Sequence, residues 1–236
     1  AVSDGMKKDI ISSYPAVDKS RVHTIRNGIN TERFAPSPDN AILIKYGIAQ
    51  PYALFVGRIT RQKGLAHLLR AWRSVSQEFT LVVAASSPDE PAIGEEVEEL
   101  ISELQQNRSV IWIREMLPHS ELTALLTHAR VFLCPSIYEP LGIVNLEAMA
   151  CETAVIATRV GGIPEVVADG ETGIIVELNS DTAQFENELT KAITELMSDE
   201  DRSIALGRNG RQRAIAEFSW DKVARATMDL YERLIG

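Results

Sequence analysis

The chain has 236 residues, 45% apolar and 24% charged, enough for one large domain or for one domain and part of another. A formal net charge of −9 argues against a general nucleic-acid or membrane-binding surface, while leaving room for a local basic pocket. No apolar run reaches membrane-spanning length and no secretory signal opens the chain, so a cytoplasmic protein is expected.

The first segment predicts a polar helix over Asp4–Ser13 with Ser3 as its N-cap. Arg21 to Arg26 alternates well enough for a half-buried strand ending at Asn27-Gly28. The polar, Pro-bearing stretch 30–40, with Phe34 as its one large apolar anchor, reads as a hinge. From Tyr52 the pattern becomes regular. Strands are predicted at 52–56, 79–84, 110–113, 131–134, 154–158 and 173–176, separated by helical stretches. One of these, 64–76, carries Leu65, Leu68, Leu69, Trp72 and Val75 on one face. Another begins near Ser120, with His119 or Ser120 as its cap. Two further helices close the chain, with Ser219 between them. Such alternation specifies an α/β fold: a Rossmann-like parallel sheet with helices on both faces, reached by right-handed crossovers.

Chemistry concentrates at three strand ends. After the first strand, VGRITRQKG sets Gly57 and Arg58 at its end, with Arg61, Lys63 and Gly64 leading into a helix. This is either an anion clamp or a solvated basic loop; the dinucleotide GxGxxG pattern is absent. After the fourth strand, VFLCPSIYEPLGIVNLEAM delivers a loop and a helix N-terminus, where an open α/β sheet builds a ligand site. The N–H groups of Leu141, Gly142 and Ile143 fall at that helix start and can hold a phosphate, each charge-assisted bond being worth about 1.5–3 kcal/mol. Glu139 reads as a carboxylate suited to the vicinal hydroxyls of a sugar or ribose, or as a surface loop charge. Glu147 sits among Val144, Leu146, Ala148 and Met149, where an unpaired charge is costly; it reads as a ligand for vicinal hydroxyls of a sugar or ribose, a core ion pair or a cap. Seven residues separate the two glutamates, too far for a glycosidase acid/base pair. The third loop is Gly161-Gly162-Ile163-Pro164-Glu165. Cys134 and Cys151 read as reduced core residues, and His23, His67, His119 and His128 as structural, since neither set has metal-ligand spacing. Ser136 lacks a visible triad.

Taken together, SDGMKKDI, IRNGINTERFAP, VGRITRQKG, EPLGIVNLE, TRVGGIPEVVADGETG and FSW are similar to the retaining glycosyltransferase family 4, whose members have the two-domain GT-B fold. Within it, FVGRITRQKG and CPSIYEPLGIVNLEAMAC resemble the actinobacterial-type glycogen synthases or α-maltose-1-phosphate synthases. The resemblance implies a hexosyltransferase with a nucleotide-sugar donor, ADP-glucose, and no metal or other cofactor. Arg58 and Lys63 then correspond to the basic pair on the donor diphosphate, Glu139 to the carboxylate near the donor hexose, and Glu147 to the ribose ligand. Gly57, Leu141, Gly142 and Ile143 complete the donor site.

The same resemblance divides the chain into 1–35, the end of an N-terminal domain and hinge; 36–218, the nucleotide-sugar domain; and 219–236, a helix returning toward the first domain. A start at Ala1, together with this division, reads as the C-terminal part of a longer enzyme. The acceptor, a glucan or glucose-1-phosphate, is expected on the missing N-terminal domain, leaving this fragment inactive or weakly active. Two alternatives stand beside this reading: another family-4 transferase with a lipid or small-molecule acceptor, and a noncatalytic nucleotide-binding domain.

Overall fold

The computed structural model of the protein describes residues 1–49 and 51–235. Six strands, β1 (Tyr52–Val56), β2 (Thr80–Ala84), β3 (Val110–Ile113), β4 (Val131–Cys134), β5 (Ala154–Thr158) and β6 (Gly173–Val176), form one parallel sheet in the order β3-β2-β1-β4-β5-β6. Sequence-successive strands step outward one way from β1 and the other way from β4. The topological switch point therefore lies between β1 and β4, which pair through Ala53↔Val131 and Leu54↔Phe132. Crevices at such points, beyond the strands' carboxyl ends, are where these sheets bind ligands.

Strand alternation divides the core into two layers. Ala53, Phe55, Leu81 and Val83 face one side, against α3 (Leu65–Trp72), α4 (Pro91–Leu104) and α8 (Thr182–Ser198). Tyr52, Leu54, Val82 and Phe132 face the other, against α2 (Ala41–Tyr46), α5 (His119–His128), α6 (Ile143–Ala150) and α9 (Glu200–Phe218). The predicted apolar face of α3 is fully used: Leu65, Leu68, Leu69, Trp72 and the following Val75 are all buried. Each such side chain contributes about 1.5–3 kcal/mol. Both cysteines are buried and unbridged.

Several boundaries differ from the sequence reading. The helix expected over 64–76 ends at Trp72. Pro118 precedes α5, and His119 lies inside that helix, its Nε2 2.9 Å from the Arg33 carbonyl. No strand forms over 21–26. A short 3-10 turn at Lys19–Arg21 leads into extended chain held by the Ile25 N–H to Ala1 O bond (2.9 Å) and the Ala1 amino group to His23 O (2.7 Å). The alternation there is real, but the segment pairs with no strand of the sheet. Ile29 instead makes an isolated bridge with Ser219. The expected hinge stretch contains the buried Phe34, which meets His119 edge-on.

α1 (Asp4–Ser13) and α10 (Trp220–Ile235) bury none of their residues completely. Along α10, Trp220, Met228, Tyr231, Leu234 and Ile235 stay exposed. No described helix is long and apolar enough to cross a membrane.

Candidate functional site

Three loops meet above the β1/β4 switch point. The first leaves β1 through Gly57 and Arg58, then turns at 61–63, where Thr60 caps through its side chain onto Lys63 N–H. The second, 135–142, joins β4 to α6. The third, 159–162, joins β5 to α7 (Ile163–Val166).

Backbone contacts stitch the second loop to both neighbours. Ile137 N–H donates to Gln62 O at 2.8 Å, and Gly162 N–H to Glu139 O at 3.0 Å. Glycine is required at both seams. Gly64 has φ +66 and a Cβ there would lie 1.9 Å from Pro135 O; Gly161 has φ +51 and its Cβ would lie 1.9 Å from Glu139 O. An L side chain would be strained at either angle and would collide with a carbonyl. The Thr158 hydroxyl adds a bond to Ser136 O.

These seams bring two candidate residues into contact. Lys63 Nζ lies 2.6 Å from Glu139 Oε2, with side chains 21% and 11% exposed. The Ser136 hydroxyl, fully buried, lies 3.5 Å from the same oxygen. Glu139 is therefore a buried, paired carboxylate and not a surface loop charge. A pair so far from water is stabilised when both partners are present and costly when one is removed.

Glu147 lies on α6 with no ion pair among the described residues, which sets aside both the core-pair and the cap readings. Burial pushes its carboxyl up to about 7, with Lys63 pulling in the opposite direction. The N–H groups of Leu141, Gly142 and Ile143 precede the first intrahelical bond of α6 and donate to no described residue. They are the orphan donors of a helix start, where partial positive charge accumulates.

Arg58 stands apart. It is exposed at the end of β1 and forms no ion pair with a described residue, so the structure does not bring it onto Lys63 or Glu139. Gly57 is bonded through its N–H to Ala84 O at 3.2 Å. The histidines serve packing and tethering: His67 Nδ1 is 2.9 Å from Glu186 Oε1, and His128 Nε2 is 2.9 Å from Asp39 O. Among the described residues no group of three His, Cys, Asp or Glu side chains could hold a metal ion. Ser136 escaped sequence reasoning as a partner of Glu139, because a search for a triad looks for the wrong neighbours.

The family profile "Glycosyl transferases group 1" matches residues 44–213. The chain belongs to this family. Within the family it is 49% identical, over 99% of its length and 62% of the relative's, to an α-maltose-1-phosphate synthase of Mycolicibacterium smegmatis. It is 46% identical, over the same shares, to the protein of that name from Mycobacterium tuberculosis. The chain thus spans about three-fifths of the curated relatives it matches. In three dimensions it superposes on sucrose-phosphate synthase from Thermosynechococcus elongatus with a TM-score of 0.83 and 31% identity, covering 100% of this chain and 57% of that one. The resemblance first read from the loop motifs therefore holds for family and for fold. This group 1 glycosyltransferase chain has the parallel, doubly covered sheet of a GT-B C-terminal domain.

Proposed function

We propose that the chain is the donor-binding part of a retaining glucosyltransferase that takes glucose from a nucleotide-glucose, ADP-glucose, and builds α-1,4 linkages. The observation that carries this reading is the 2.6 Å Lys63–Glu139 pair beside free helix-start N–H groups at the sheet's switch point. The names of the most similar relatives supply its direction.

Each group has a role that its chemistry supports. Lys63 and the exposed Arg58 neutralise the diphosphate as it leaves with the nucleotide, aided by the N–H groups of Leu141, Gly142 and Ile143. Glu139, anchored through one oxygen, keeps the other for a hexose hydroxyl. Glu147 accepts hydroxyls of the ribose. These cations take the charge-neutralising part that a divalent ion plays in other sugar transfers. With the described carboxylates bound to hydroxyls or cations, the reading is front-face transfer, the departing phosphate taking the acceptor's proton.

The acceptor, glucose-1-phosphate or a glucan end, belongs to the part of the enzyme outside this chain. Residues 1–35 and 219–236 would join that part, and 36–218 form the nucleotide-sugar domain. The exposed apolar side chains of α10 support this division.

Titration calorimetry of the chain with ADP-glucose, UDP-glucose and GDP-mannose tests the reading. Selective binding of ADP-glucose, lost in Arg58→Ala and Lys63→Ala, supports it. Selective binding of a different sugar nucleotide moves the protein to another transferase of the family, and binding of none removes the donor-site assignment.

A further inference from the structure

We propose that Ser3 is a positioning residue for the loop 139–142, holding the Pro140–Leu141 peptide so that Leu141 N–H is turned toward the ligand side. The value of that N–H rests on the donor-site reading above; the positioning itself does not.

Ser3 is completely buried, although it lies three residues from the start of the chain. Its hydroxyl donates to Pro140 O at 2.5 Å and accepts from Met6 N–H at 2.9 Å. One proton and two lone pairs suffice for both bonds, so the side chain that caps α1 also anchors a loop 137 residues away in sequence.

The consequence follows from peptide geometry. In a planar trans peptide the C=O and the following N–H point in opposite directions. Fixing Pro140 O on Ser3 therefore aims Leu141 N–H away from Ser3, and that N–H has no described partner. The preceding peptide is fixed in the same way, through Gly162 N–H to Glu139 O. Proline has no N–H of its own with which to steady the segment. Both anchors are thus needed to orient successive peptides.

Two further observations tie Ser3 to this place. A Cβ on Gly162 would lie 2.5 Å from Pro140 O and 2.7 Å from Ser3 Cβ, so the bare glycine leaves the approach open. Glu165 fixes the start of α1 independently: Oε1 accepts from Gly5 N–H at 2.9 Å, and Oε2 lies 2.7 Å from Arg26. The helix start cannot drift without disturbing the 161–165 loop.

The test compares Ser3→Ala and Ser3→Cys with Lys8→Gly, a change at an exposed position of α1 that weakens the helix without touching Pro140. Two quantities are read: ADP and ADP-glucose dissociation constants, and amide exchange at Gly162. Ser3→Ala is expected to raise both dissociation constants and the exchange rate by roughly fivefold to tenfold, the worth of one hydrogen bond. Ser3→Cys, a weak donor of similar shape, should fall between it and the wild type, and Lys8→Gly should change neither quantity. Unchanged Gly162 exchange in Ser3→Ala, or an equal effect from Lys8→Gly, overturns the proposal. If the wild-type chain binds neither nucleotide, the donor-site reading fails, and the exchange measurement still decides the role of Ser3.

Discussion

Lys63 and Glu139, 76 residues apart, meet at 2.6 Å because the bare Gly64 and the Ile137 N–H to Gln62 O bond bring their loops edge to edge. The ion pair is thus a product of loop packing as much as of charge, and its removal should be felt in the fold. Lys63→Met is expected to lower stability by about 2 kcal/mol, since it strands a mostly buried carboxylate. Glu139→Gln in the same background should recover part of that loss. Urea denaturation of the single and double variants measures both, and additive losses would show that the two side chains do not depend on each other.

Arg58 should behave in the opposite way. It is exposed and unpaired among the described residues, so Arg58→Ala should leave stability within about 0.5 kcal/mol of the wild type. Nucleotide affinity should nevertheless fall about tenfold or more, the loss of one charge-assisted contact to phosphate. A variant that melts early and binds normally would reverse the assignment.

Glu147 makes folding depend on pH. Its carboxyl is raised from 4.5 to about 7 by burial, so the folded state holds a proton that the unfolded chain has lost. Stability therefore falls as pH rises between those values, by about 3 kcal/mol in total, and the penalty is complete above the folded value. Glu147→Gln removes it: the variant's advantage over wild type should be absent near pH 4 and fully present at pH 8. Parallel wild-type and variant curves would show that the carboxyl titrates normally.

The same proton bears on binding. A ribose ligand needs the ionised carboxylate, and ADP-glucose itself has no ionisation near neutrality. Its affinity should therefore rise between pH 6 and pH 8, with proton release detectable by calorimetry in buffers of different ionisation heat. In Glu147→Gln both the rise and the release should vanish.

Gly64→Ala and Gly161→Ala should each cost roughly 2–3 kcal/mol or more, because strain at positive φ is joined by collision with a carbonyl. Gly47 is the control. It also has positive φ, at +61, but a Cβ there meets nothing within 4 Å, so Gly47→Ala should cost only about 1 kcal/mol. Thermal melts of the three variants should fall in that order, and equal shifts would show that the loop seams carry no special load.

Much of this was determined by residue order alone. Five strands, including Val131–Cys134, have the boundaries expected from apolar runs, because a strand buried on both faces needs little besides β-prone side chains bounded by turn residues. The helix of Asp4–Ser13 and its cap at Ser3 were legible for the same local reason. The failure at 21–26 is equally instructive, since alternation prepares a strand but only a neighbouring edge completes it.

In the segment from Pro135 through α6, residue types marked Glu139 and Glu147 as unusual but could not distinguish a solvated charge from a buried one. Only the packed structure decided that Glu139 is paired with Lys63, that Glu147 is partly buried with no ion pair among the described residues, and that Arg58 is exposed and unpaired among them. Only it joined Ser3 to Pro140. Local patterning sets backbone conformation over a few residues, whereas burial and partnership depend on which distant loops share a space, and that is fixed when the sheet assembles.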